Sequence, residues 1–187
     1  MTEAINNKFI IAEASSRASK KWKTREYTWE EFVDRLSTPK KTQETVEEYH
    51  RWKNSKDAAE KEKAGNAKDI GGFVGGALSG PQRVKSAVVN RCLICLDIDE
   101  GDNAVWDDWQ RKFGWRAVLY STHSHTKEKP RLRLIVPLAA PVSPDQYVAI
   151  SLKLIEGMGE ERFDPSTTQI ERMMYWPSCP SDGEYVF

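Results

Sequence analysis

Apolar and polar positions divide the chain into two unlike parts, and the later one is the more regular. Val88 to Asp99 carries a continuously apolar core, Cys92-Leu93-Ile94-Cys95-Leu96, as a central strand of a covered sheet does. Ala104 to Phe113 places Trp106, Trp109 and Phe113 on one helical face, and Trp115 to Ser121 reads as the next strand. A polar turn ending at Pro130 leads to a third strand, Arg131 to Leu138. That turn is too short for a parallel crossover, so the strands around it form an antiparallel hairpin. Ser143-Pro144-Asp145-Gln146 combines a cap, a proline at the first helical position and a closing glutamine, starting a helix that runs to about Gly157. Phe163-Asp164-Pro165 then leads into Gln169 to Tyr175, and Trp176-Pro177-Ser178-Cys179-Pro180 closes the pattern.

The earlier part is more polar. Lys8 to Ala12 is a short strand candidate, and the capping box Thr28-Trp29-Glu30-Glu31 opens a helix carrying Phe32, Val33 and Leu36 that stops before Pro39. From Thr42 to Lys68 charge dominates, with a second capping box at Thr45 to Glu48 and few apolar residues after Trp52. This predicts an exposed helix fraying into a mobile linker, with His50 at the surface. Five of the chain's 11 glycines then fall between Lys68 and Gly80, a pattern of tight packing or a bend, without the ending of a phosphate-binding loop. The whole predicts an α+β fold: a mixed or antiparallel sheet flanked by helices.

Composition narrows the function. The 187 residues hold 28 Lys+Arg and 28 Asp+Glu, a formal net charge of +0, so any polyanion site must be built locally. The polar N-terminus lacks the apolar core of a signal peptide and no run approaches a bilayer span, so a cytoplasmic protein without membrane contact is expected. Cys92, Cys95 and Cys179 form no even framework, and the Cys-x-x-Cys pair lies in a buried strand with no second pair to complete a zinc site.

Asp97 and Asp99 end the apolar strand on one face, with Ile98 on the other. Carboxylates this close repel unless a cation lies between them, and oxygen ligation suits Mg²⁺ or Mn²⁺; an acidic strand end gives the same pattern. Two of only three histidines, His123 and His125, follow the next strand, beside Lys127, Lys129, Arg131 and Arg133. Arg131 and Arg133 share a face and need an anion between them, although a solvated basic hairpin also fits. Lys20, Lys21, Trp22, Lys23 and Arg25 interleave cations with an aromatic, either a grip for single-stranded DNA or a solvated loop.

These residues carry a resemblance. Asp97-Ile98-Asp99 after an apolar strand, Ser121-Thr122-His123 and Phe163-Asp164 follow the motif order of the archaeo-eukaryotic primase superfamily: hydrophobic-Asp-x-Asp, small-x-His, hydrophobic-Asp. Lys68-Asp69-Ile70-Gly71-Gly72-Phe73-Val74-Gly75-Gly76, the run from Tyr120 to Leu134 and Arg172-Met173-Met174-Tyr175-Trp176-Pro177-Ser178 resemble the primase-polymerase domain of phage and mobile-element replication proteins of the virulence-associated E type. The resemblance implies a core related to the RNA-recognition fold and one catalytic domain over 1–187, with 1–68 as an N-terminal lobe and 69–187 carrying the motifs. It implies DNA primase or polymerase activity: metal-dependent nucleotidyl transfer from NTP or dNTP on a single-stranded DNA template. Asp97, Asp99 and Asp164 would be catalytic and hold two Mg²⁺ or Mn²⁺ ions. Ser121 and His123 or His125 would contact the triphosphate, and the charge and position of Arg131, Arg133 and Arg172 suit them to neutralise phosphate oxygens. Relatives continue into a helicase domain, so the chain reads as a fragment of a primase-helicase or as the partner of a separate replicative helicase. Two other readings compete: a rolling-circle endonuclease using His123-Ser124-His125 with a tyrosine nucleophile such as Tyr147 or Tyr175, and a non-catalytic single-stranded DNA-binding replication factor.

Overall fold

A computed structural model describes residues 8–102 and 104–187, so Met1–Asn7 of the polar N-terminus lie outside the described residues. Two antiparallel sheets form the frame. The first has the order β2-β1-β4-β8 and joins β1 (Phe9–Ala14), β2 (Lys23–Tyr27), β4 (Gly72–Val74) and β8 (Met174–Tyr175). The second has the order β5-β7-β6, with β5 (Arg91–Ile98) paired to β7 (Leu132–Val142), and β7 to β6 (Val118–Ser121). A short parallel pair, β3 (Lys40–Lys41) with β9 (Ser178–Cys179), ties the early chain to the late one. The helices are α1 (Trp29–Ser37), α2 (Val46–Asn54), α3 (Ala58–Ala67), α4 (Val105–Lys112) and α5 (Pro144–Met158). The α+β expectation and the antiparallel hairpin across the His-to-Arg turn are both observed.

Strand alternation on β5 divides the core. Ile94, Leu96 and Ile98 face α4 and α5, packing among Trp109, Tyr147, Leu154 and Ile155. Leu93 and Cys95 face the first sheet and α1, joining Ile11, Phe32, Phe73, Met174 and Trp176. Each such side chain removed from water stabilises the fold by about 1.5–3 kcal/mol. Asp97 follows Leu93 and Cys95 on their face, so a carboxylate is carried to the rim of the space between the sheets.

The glycine segment works by close approach. Gly71 has φ of 90°, and a Cβ on Gly72 would strike the Met174 carbonyl oxygen, so only glycine lets β4 lie this close to β8. All three cysteines are free and buried.

Two expectations are corrected. The charged stretch after Thr42 is no fraying linker but a hairpin of α2 and α3, capped by Thr45 and Asp57. Tyr49, Trp52 and Ala64 give it a small core of its own, the Lys63 ammonium lies 3.8 Å from the Trp52 ring centroid, and His50 is half-buried. A stripe of two aromatics three residues apart was enough to dock the helices despite the charge around it. Trp22 is likewise no base-stacking platform: it is buried in the main core, its indole N–H donating to the Ser19 carbonyl at 3.2 Å. Among the described residues, no helix is long and apolar enough to cross a membrane.

Candidate active site

The register of β5 against β7 sets Asp97 directly opposite Arg133. Arg133 Nε donates to Asp97 Oδ1 at 2.6 Å, while its Nη1 reaches the Tyr175 carbonyl at 3.0 Å. Just beyond the strand ends, Arg131 Nη1 lies 2.6 Å from Asp99 Oδ2. The third carboxylate arrives from a distant segment. Ile98 bridges Phe163 and the Asp164 N–H donates to the Asp97 carbonyl at 3.0 Å, so Asp164 is placed beside the Asp97 strand end by backbone pairing. Asp164 also caps the short turn Pro165–Thr168, its Oδ1 accepting from the Ser166 N–H at 2.8 Å. Arg172 then joins two of the acids: Nε donates to Asp97 Oδ2 at 3.0 Å and Nη2 to Asp164 Oδ2 at 2.5 Å.

All three aspartates line one cleft of about 210 Å³, together with Ser121, His123 and the three arginines. Burial alone would push the Asp97 carboxyl up, but Arg133 and Arg172 outweigh it and hold the group below the usual carboxylate range. Asp164 is likewise held low, with the Ser166 hydrogen bonds and Arg172 overcoming desolvation. Both acids are therefore ionised at neutral pH.

The two histidines do not share a site. His123 lines the cleft, its Nε2 2.9 Å from Glu44 Oε1, its Nδ1 2.8 Å from Ser178 Oγ, and its ring edge-on to Tyr49 at 4.4 Å. Burial lowers its pKa more than Glu44 raises it. His125 is buried outside the cleft lining, its Nδ1 accepting from the Arg131 backbone N–H at 3.2 Å. A two-histidine metal centre of the endonuclease type does not form, and Tyr147 is fully buried under Arg91. Lys20, Lys21, Lys23 and Arg25 are exposed but do not reach the cleft, and Arg25 pairs with Glu13 at 3.4 Å.

Sequence reasoning missed Lys53, Lys68, Glu44 and Ser178. Lys53 and Lys68 enter the cleft from the helical hairpin, Ser178 from β9, and Glu44 buttresses His123 from behind. Lys68 and Ser178 each lie within a stretch that carried the family resemblance; Lys53 had no signal beyond its charge.

Among the described residues, no group of three or more His, Cys, Asp or Glu side chains is gathered to hold a metal ion, because the arginines stand between the acids. The donor chemistry nonetheless fits a hard divalent cation: Asp97 and Asp164 already converge on one shared cation, the Arg172 guanidinium.

The model of the VapE N-terminal domain family matches residues 2–187. The chain belongs to this family. The motif-based resemblance is thus upheld as to family over nearly the whole chain. No curated protein matches. Among solved structures, the AEP domain of the cyanophage S-2L primase-polymerase aligns with a TM-score of 0.48 and 16% identity, over 98% of this chain and 82% of that one.

Proposed function

We propose that this VapE-type domain is a primase-polymerase that performs template-directed nucleotidyl transfer on single-stranded DNA during replication of a phage or mobile element. The observation that carries the reading is the convergence of Asp97, Asp99 and Asp164, from two separate segments, with His123 and a set of cations in one cleft. Carboxylates beside cations are the equipment for transferring a phosphoryl group between oxygens.

In the reaction, the primer 3′-hydroxyl loses its proton to solvent and its oxygen bonds to the α-phosphorus as the α–β anhydride breaks and pyrophosphate leaves. Asp97, Asp99 and Asp164 would hold Mg²⁺ or Mn²⁺, which when bound neutralises charge on the transferring phosphate. Arg133, sealed behind Asp97, keeps that carboxylate ionised and fixed in place. Arg172, now paired with Asp97 and Asp164, would have to release at least one of these carboxylates for them to hold a cation. His123 lines the cleft beside Ser121 with its ring fixed by Glu44 and Ser178, so its contact with the triphosphate requires one of those two partners to give up a ring nitrogen. His125 serves the hairpin rather than the substrate, since it lies outside the cleft lining and its Nδ1 accepts from the Arg131 backbone. The template and a replicative helicase, fused or separate, are the partners this reading requires.

The test is incubation of the protein with a single-stranded template, labelled nucleotides and either Mg²⁺ or Mn²⁺, with and without primer. Products lengthened according to template sequence support the reading. A covalent protein-DNA adduct in place of extension would support the endonuclease mechanism instead.

A further inference from the structure

The arginines of the cleft are already committed. Arg131 is paired to Asp99, Arg133 to Asp97, and Arg172 to both Asp97 and Asp164. The two lysines are not. Among the described residues, Lys53 and Lys68 make no salt bridge, although both line the cleft. Lys68 caps the C-terminal end of α3, and its ammonium sits 5.0 Å from the Tyr175 ring centroid; Lys53 comes from the last turn of α2. Five cations therefore face three carboxylates, and the surplus positive charge resides on the lysines.

This arrangement is unfavourable without a ligand. Burial first, then repulsion from Lys53 and Arg133, pulls the Lys68 ammonium down to about 8. Lys53 is the more exposed of the two, and its partial desolvation and then Arg131 lower it in the same direction. An anion between the two ammoniums offsets their mutual repulsion and favours their charged forms. The cleft, at about 210 Å³, takes a phosphate chain more readily than the body of a DNA strand.

We infer that Lys53 and Lys68 form a polyphosphate clamp, contributed by the α2–α3 hairpin, that receives the β- and γ-phosphates of the incoming nucleotide. The inference rests on the nucleotidyl-transfer reading and assigns its triphosphate contacts to lysines rather than chiefly to Arg131, Arg133 and Arg172. The hairpin becomes a functional element of the active site, and docking its small aromatic core fixes where the clamp sits.

The test is calorimetric titration of the 187-residue chain with dATP, inorganic tripolyphosphate, dAMP and a single-stranded oligonucleotide, in Mg²⁺ buffer without a primer-template. Lys53→Ala and Lys68→Ala should each weaken dATP and tripolyphosphate by about tenfold, leaving dAMP and the oligonucleotide within about twofold. Lys53→Arg and Lys68→Arg, which keep the charge and the fold, should restore most of the lost affinity. Wild-type affinity for dATP in the double alanine variant would overturn the clamp. Equal losses for the oligonucleotide and dATP would overturn it too, making the lysines strand contacts. Failure of the wild-type protein to bind either dATP or tripolyphosphate would instead sink the nucleotidyl-transfer reading itself.

Discussion

Asp97 and Arg133 face each other directly across β5 and β7, joined at 2.6 Å with neither side chain more than 9% exposed. The aspartate thus serves the fold as well as the chemistry, because truncating it strands a buried guanidinium. Asp97→Ala should cost about 3–5 kcal/mol in urea unfolding. The double variant Asp97→Leu/Arg133→Met, which removes both charges, should be markedly less destabilised than Asp97→Ala. If Asp97→Ala unfolds at the wild-type midpoint, the pair is not the buried bridge described.

Glu44 is 8% exposed and acts through His123. Burial opposes its charge, but the hydrogen bond from Thr42 and the proximity of His123 hold the carboxyl low, so it accepts an N–H from Nε2 and leaves Nδ1 to accept from the Ser178 hydroxyl. Glu44→Gln should raise the nucleotide KM several-fold with a smaller change in kcat, and Glu44→Ala should do more. Steady-state kinetics on a primed template would show this; a fall in kcat alone would remove Glu44 from substrate positioning.

Arg172 occupies the place between two acids that a divalent ion would take. Arg172→Ala should therefore tighten Mn²⁺ binding several-fold, whereas Asp164→Asn should weaken it. Electron paramagnetic resonance of free Mn²⁺ measures both without any turnover. Weaker Mn²⁺ binding in Arg172→Ala would contradict competition between the guanidinium and the metal.

All three histidines have pKa values below the ordinary 6.5, chiefly through burial. The folded state thus binds fewer protons than the unfolded state below about 6.5, and stability declines as pH falls. The urea midpoint should fall as pH drops from about 6.5 to 5. His123→Gln should flatten part of that decline, and an unchanged slope in this variant would exclude His123 as a contributor.

Period and caps revealed most elements: the central strand, the Trp109 helix, the Ser143 cap and the antiparallel hairpin all follow local rules. So did the face shared by Arg131 and Arg133, and the anions that arrangement demands are the neighbouring aspartates. What local pattern could not show was pairing between distant segments. The Ile98–Phe163 bridge decides that Asp164 joins Asp97, and β3–β9 pairing decides that Ser178 meets His123. The α2–α3 hairpin was hidden for another reason: its apolar surface is only two aromatics and an alanine, below what composition distinguishes from a solvated helix. Trp22 misled in the opposite sense, since flanking lysines say nothing about where the indole between them points.

Asp99 offers the most direct test of nucleotidyl transfer at this cleft, because its side chain is 48% exposed and its substitution spares the buried Asp97–Arg133 pair. The measurement is the rate of template-directed nucleotide addition to a primed single strand, with Mg²⁺ or Mn²⁺, for wild-type protein and Asp99→Asn at matched unfolding midpoints. The account predicts addition by the wild-type protein and a loss of about a hundredfold or more in the variant. Addition at the wild-type rate by a folded Asp99→Asn protein would contradict it.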